Sequence, residues 1–207
     1  MVRKLLVLLT SVLVIGLGAM TFWQASQSGS SASAAVAGPR LAKPVCEPFY
    51  KDGAETSNRT VLKVGSPIPG MVLKTTNGQP TNLEVYNTKT YRLIEFFAPW
   101  CPHCQHSIPT LKQVQQQFNP VVTILAINGG GLNPNVPSDS GAFKAKYHIT
   151  YPILEGVTMP MVQSYCVMGF PTFYLVDKAG YVRWAFNGTL EGKDLKALTT
   201  ILSKAAK

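Results

Sequence analysis

The stretch Glu95-Phe96-Phe97-Ala98-Pro99-Trp100-Cys101-Pro102-His103-Cys104 leaves an apolar run, Leu93 to Phe97, and enters a segment with helical spacing. Two cysteines set two residues apart at a strand-to-helix junction can close a disulfide across one helical turn. Backbone N–H groups and the helix dipole at that N-terminus favour a thiolate on the first of them. The intervening Pro102-His103 pair tunes that thiol's acidity, and so whether the pair tends to give disulfides away or to reduce them.

Reading outward, the chain alternates strands and helices. Thr60 to Val64 and Met71 to Lys74 are short strand candidates around Gly65-Ser66-Pro67, and Asn77-Gly78 signals a hairpin turn. Arg92 to Phe97 reads as a buried strand. Cys101 to Phe118 reads as a helix, with Ile108, Leu111, Val114 and Phe118 on one face, and with Pro109 placed to kink it. Val121 to Asn128 is apolar except at Thr123 and Asn128, the pattern of a parallel strand covered on both sides. Gly129 to Gly141 is a loop rich in Gly, Pro and Asn. Short helices are predicted at Ala142 to Tyr147 and Met161 to Tyr165. Thr172 to Val176 and Tyr181 to Phe186 form a hairpin, and Lys193 to Lys204 is an amphipathic closing helix. This order predicts an α/β fold with a central mixed sheet flanked by helices.

Two segments together carry a family resemblance. The run from Glu95 to Cys104 resembles the active site of the thioredoxin superfamily. Tyr165-Cys166-Val167-Met168-Gly169-Phe170-Pro171-Thr172-Phe173 resembles the superfamily's second motif, in which the proline is cis. Val64-Gly65-Ser66-Pro67-Ile68-Pro69 and the segment Tyr147 to Leu154 are similar to exported members of the TlpA/ResA/DsbE kind. The resemblance implies a thioredoxin fold, an enzyme of thiol–disulfide exchange that needs no cofactor, and clients with cysteine thiols or disulfides. It makes Cys101 the exposed nucleophile and Cys104 the buried resolving thiol. Pro102 and His103 tune the site. Trp100 forms an apolar rim, and Phe170 with Pro171 offers a backbone edge to an extended client. Glu95 stands where cytosolic thioredoxins hold a buried acid and many TlpA-like proteins a neutral residue. In an otherwise apolar strand it is expected to be buried, with a raised pKa and the capacity to act as a base; a rim-exposed or ion-paired glutamate is the alternative.

The N-terminus speaks to compartment. Arg3 and Lys4 precede residues 5–23, which carry no charged side chain. That length suits a bilayer anchor, and the charge bias predicts an exported body. Residues 1–23 are therefore expected to be a signal-anchor or a signal peptide, and residues 24–59 a linker and N-terminal extension. Residues 60–207 form the thioredoxin-like domain. The protein is expected on the periplasmic side of the inner membrane, or free in the periplasm after cleavage. Its net charge of +9 is scattered, with no basic stripe or nucleic-acid motif.

Cys46 and Cys166 complete an even cysteine count. In an exported protein they are candidates for a structural disulfide, pinning the extension to the domain, or they are two unrelated thiols. A copper- or zinc-binding role is the rival of another class, because Cys101, His103, Cys104 and His106 crowd together. Neighbouring helical positions point different ways, however, and no second cluster is apparent, so no metal site is expected. A peroxiredoxin-type peroxidase would show a lone cysteine in a Thr/Pro setting, which is absent. The direction of exchange stays open. The TlpA-like body argues for a reductase or a client-specific enzyme, as in cytochrome c maturation, working with a membrane redox partner. The Pro102-His103 dipeptide between the cysteines resembles that of the oxidant DsbA, whose large helical insertion this chain lacks.

Overall fold

Leu93, Ile94, Phe96 and Phe97 have side chains on both faces of one strand, so that strand needs cover on both sides. The computed structural model, which describes residues 44–51 and 54–207, puts it in the interior of a sheet, with a paired strand on each side. In chain order the elements are β1 (Cys46–Lys51), β2 (Ala54–Leu62), β3 (Val72–Thr75), β4 (Pro80–Asn82), β5 (Tyr91–Phe97), α1 (Pro102–Phe118), β6 (Val122–Asn128), α2 (Ser140–Lys146), β7 (Ile153–Glu155), α3 (Met159–Ser164), β8 (Thr172–Asp177), β9 (Val182–Asn187) and α4 (Gly192–Ala205). Short 3₁₀ turns cover Leu83–Tyr86 and Gly130–Leu132.

Seven strands lie in the order β4-β3-β7-β6-β5-β8-β9. β5 runs parallel to β6 and antiparallel to β8, and Glu95 stands between Ala126 and Phe173. β5, α1 and β6 make a parallel crossover, so α1 starts at the end of β5 and covers the sheet with Ile108, Leu111, Val114 and Phe118. Pro109 lies inside α1, which continues through it to Phe118. The Asn77-Gly78 turn joins β3 to β4, with Gly78 at φ 78°, a setting that glycine adopts without strain.

Three features depart from the expected pattern. The boundary set at residue 60 falls inside β2, which begins at Ala54 and pairs antiparallel with β1. This hairpin was not predicted, because the polar run Glu55 to Thr60 lacks the alternation that marks a half-buried strand; its pairing comes from the partner strand. β7 is only three residues long, and is defined by pairing with β6 and β3. The helix expected at Met161 to Tyr165 starts at Met159, with Pro160 in the first turn, where its missing N–H costs nothing. The apolar run 5–23 and most of the linker lie outside the described residues. Among those described, no helix is long and apolar enough to cross a membrane.

The β1–β2 hairpin is tied to the domain through buried tyrosines. The Leu62 N–H donates to Tyr174 Oη at 3.2 Å, and Tyr174 Oη donates to the Tyr165 carbonyl at 2.6 Å. Tyr165 Oη in turn donates to the Pro69 carbonyl at 2.6 Å. Tyr174→Phe keeps the ring but strips both groups of this shared hydroxyl. It is expected to lower stability by about 1–3 kcal/mol in urea denaturation; an unchanged midpoint would show that the hydroxyl carries no weight.

Candidate active site

The site begins where β5 ends. Cys101 caps the N-terminus of α1 in extended conformation, φ −79° and ψ 118°, with Pro102 in the first turn. Its N–H donates to the Ala98 carbonyl and its carbonyl accepts from the Gln105 N–H, so the turn is closed on both sides. Both cysteines are free thiols here; Cys104 is buried as expected, at 1% exposure, but Cys101, expected to be exposed, is buried too, at 6%, because the Phe170 carbonyl lies against its sulfur. Cys104, one turn on, faces the core with Ile108 and Leu111.

The two thiols differ in acidity. The Cys101 thiol is lowered from 9.0 to about 6. The largest cause is the hydrogen bond from the Cys104 side chain; the Cys104 and His103 backbone N–H groups and the His103 charge add to it, against the opposing effect of burial. Cys104 is pushed far up, first by burial, then by sharing its proton with Cys101 and by the Glu95 charge. Glu95 is buried as expected, on the interior strand β5. Burial and then the Cys101 charge raise it from 4.5 to about 8, and its Oε1 is buried with no hydrogen-bond partner. The arrangement therefore pairs a thiol ionised near neutrality with a proton-holding thiol, and sets a carboxyl that exchanges its own proton in the same range beside them.

The opposite wall is the loop after α3. The Phe170–Pro171 bond is cis, and the Phe170 carbonyl accepts from Cys101 Sγ at 3.5 Å. Trp100 is 40% exposed, sits edge-on to the Phe170 ring and directs its indole N–H at the Gly130 carbonyl. The exposed His103 does not turn its ring toward a second histidine: its Nδ1 lies 3.0 Å from Thr189 Oγ1. Among the described residues, no three His, Cys, Asp or Glu side chains gather in a group that could hold a metal ion. Cys46 and Cys166 are joined by a disulfide, with Cα atoms 5.6 Å apart, within the usual range.

Sequence reasoning missed two contributors. Gly129, at the end of β6, gives its N–H to the Phe97 carbonyl, and a Cβ there would run into the Phe170 ring. The buried Asn128 beside it donates to Ser140 Oγ at 2.7 Å and accepts from the Gly130 N–H at 2.8 Å, holding the following loop under Trp100. The Asn-Gly-Gly-Gly run marked a loop; nothing in the sequence marked which side chain needed the space.

Residues 64–185 match the family model described as the AhpC/TSA family. This chain belongs to that family. The thioredoxin-like protein YneN of Bacillus subtilis is 27% identical over 65% of this chain and 78% of its own length. The thiol-disulfide oxidoreductase ResA of Geobacillus thermodenitrificans is 29% identical over 68% of the chain and 78% of its own. A crystal structure of a protein assigned as the thiol:disulfide interchange protein DsbE of Chlorobium tepidum superposes with a TM-score of 0.58. It is 25% identical, covering 70% of this chain and 98% of that one. The family members it resembles are thus of the TlpA/ResA/DsbE kind. The chain is a thioredoxin-fold thiol–disulfide oxidoreductase, and its clients are proteins that carry cysteine.

Two outcomes are expected. The folded state holds the Glu95 proton more tightly than the unfolded state does. Below pH 4.5 the carboxyl is neutral in both and costs nothing; between 4.5 and about 8 the unfolded chain ionises first, so stability falls as pH rises. Glu95→Gln removes that slope. Unfolding free energies from urea denaturation of the reduced variant should exceed those of the parent progressively from pH 5 to pH 8, by several kcal/mol at the upper end, and parallel curves would contradict the burial argument. Cys101, lowered, gives an opposite slope between about 6 and 9 in the parent, and losing the Glu95 charge, which opposes the thiolate, strengthens that slope in the variant and adds to the same difference. Gly129→Ala should destabilise by about 1–3 kcal/mol through overpacking against Phe170; an unchanged thermal midpoint would mean that the ring can step aside.

Proposed function

We propose that this oxidoreductase reduces disulfides of client proteins on the outer side of the inner membrane. Residues 5–23 tether it there, a membrane redox partner re-reduces it, and one client pathway, of the kind that matures cytochrome c, uses it. The observation that carries the reading is Glu95, a carboxyl buried on β5 and raised to about 8. As this carboxyl ionises toward that pH, its charge beside the Cys101 thiolate penalises the ionised reduced pair, which shifts the couple toward giving electrons away.

The Cys101 thiolate attacks one sulfur of a client disulfide. That S–S bond breaks, the departing client sulfur leaves as a thiolate and takes a proton from water, and Cys101 is left in a mixed disulfide. Glu95, in the fraction ionised below its raised pKa, then takes the Cys104 proton, and Cys104 attacks Cys101 Sγ. The Cys101–client S–S bond breaks, the second client sulfur leaves as a thiolate and takes up the proton held by Glu95 or one from water, and Cys101–Cys104 becomes the oxidised pair. The client gains two electrons, and a dithiol reductant must restore the enzyme. Meanwhile the extended client segment pairs with the edge at Phe170, against the Trp100 rim.

The lowered Cys101 favours a second reading, a DsbA-like oxidant, because a stabilised thiolate stabilises the reduced state. A redox titration separates the two. A potential close to thioredoxin's, about −270 mV, fits the reductase; one near DsbA's, about −120 mV, overturns it. Cys104→Ser should trap client mixed disulfides on Cys101, and Cys101→Ser should abolish insulin reduction. Full activity in Cys101→Ser would remove the dithiol mechanism itself.

A further inference from the structure

The loop opposite Cys101 is held carbonyl by carbonyl. Tyr165's accepts from Tyr174 Oη, Cys166's from Thr60 Oγ1 at 3.2 Å, and Gly169's from Thr172 Oγ1 and Asn187 Nδ2. Pro171's accepts from the Gly188 N–H. Between the last two, the Phe170 carbonyl faces Cys101 Sγ. Thr172, Tyr174 and Asn187 belong to the seven-stranded sheet, but Thr60 does not. It lies on β2, and the paired strand β1 supplies Cys46 to the disulfide with Cys166. The two-stranded hairpin thus reaches this loop by one covalent bond, by the Thr60 hydroxyl, and by the Leu62 N–H through Tyr174. Cys166 itself is held at φ 55°, a left-handed setting that a side chain disfavours and a freed loop would tend to leave.

We propose that the β1–β2 hairpin is a strut for the active-site loop: the Cys46–Cys166 bond and the Thr60 hydroxyl hold residues 166–170 so that the Phe170 carbonyl stays against Cys101 Sγ. Cys46, Cys166 and Thr60 are positioning residues and take no part in the exchange. The strut deepens the dithiol reading and rests on it. A carbonyl that accepts from the Cys101 thiol favours the protonated form and repels the thiolate, so it tempers a nucleophile that α1 makes acidic. The titratable groups facing Cys101 are His103 and Cys104 from α1 and Glu95 from β5; residues 166–171 add the carbonyl and no ionisable free side chain. The same carbonyl lies on the edge that an extended client would pair with, so the hairpin acts on client binding as well.

The test uses the full chain with Cys101 and Cys104 reduced under conditions that leave the Cys46–Cys166 bond intact, checked by mass. The rate of Cys101 alkylation is followed against pH, with kcat and KM for insulin reduction. In a Cys46→Ala, Cys166→Ala double variant, the alkylation midpoint should fall by about half a pH unit or more, and KM should rise severalfold with a smaller change in kcat. Thr60→Val should move both in the same direction to a lesser extent, and Thr60→Ser should restore the parent values. A folded double variant that titrates and turns over like the parent overturns the strut. If the double variant does not fold, coincidence of Thr60→Val with Thr60→Ser and the parent overturns it. Should the parent fail to reduce insulin while the alkylation midpoints still move, the reductase reading falls and the strut stands.

Discussion

Placing Glu95 on the strand that has neighbours on both sides commits the chain to a buried carboxyl, and the chemistry of the site follows from that. Ala126 and Phe173 flank it in register, α1 closes over it, and Oε1 has no hydrogen-bond partner. An isolated carboxylate in such a place is costly, so the group keeps its proton until the pH approaches 8. Cys104 lies within its field and is pushed the opposite way from Cys101. Two sulfurs with the same intrinsic chemistry thereby acquire separate roles, set by position alone. Cys101 has the helix N-terminus and two backbone N–H groups; Cys104 has the core and a carboxyl.

The second requirement is a wall to meet that nucleophile. Both walls rise from strand ends of one sheet: α1 from β5, and the Gly129 to Asp139 loop from β6. These strands are parallel, so their carboxyl ends fall on one side. The loop before β8 completes the enclosure, because β8 pairs antiparallel with β5 and starts where β5 ends. Phe170 fits only because Gly129 leaves room for its ring, and Asn128 fixes the loop carbonyl that Trp100 meets.

Much of this was legible in the residues, for identifiable reasons. The strand–turn–helix from Leu93 to Phe118 combines a run that is apolar but for Glu95 with a 3–4 helical period, signals that tertiary packing reinforces. Glu95 stood out because a single acid interrupted apolar neighbours. The hairpin of β1 and β2 was hidden because its polar residues make no pattern; pairing and a disulfide define it, and both depend on partners distant in the chain. The disulfide was legible only as a count of cysteines. Its geometry needed the fold, since 120 residues separate the two halves. Gly129 was hidden for a different reason: a glycine's role here is the volume it leaves to another residue, and sequence shows no volume.

Direction of electron flow is a contest between groups within one turn of helix. Lowering Cys101 stabilises the reduced pair near neutral pH, which alone would make the couple a better oxidant. Glu95 works against this, because each negative charge raises the energy of the other, as their mutual effect on acidity requires. When Glu95 is protonated the penalty vanishes and the thiolate is stabilised freely. As Glu95 ionises, the reduced state pays the repulsion, while the disulfide carries no charge at Cys101 and feels none. The potential of the pair should therefore depend on pH more steeply around the Glu95 transition than proton uptake by the two sulfurs alone would give. The Pro102-His103 dipeptide sets one side of this balance and the buried strand the other, so direction belongs to the pair of elements and to neither motif by itself.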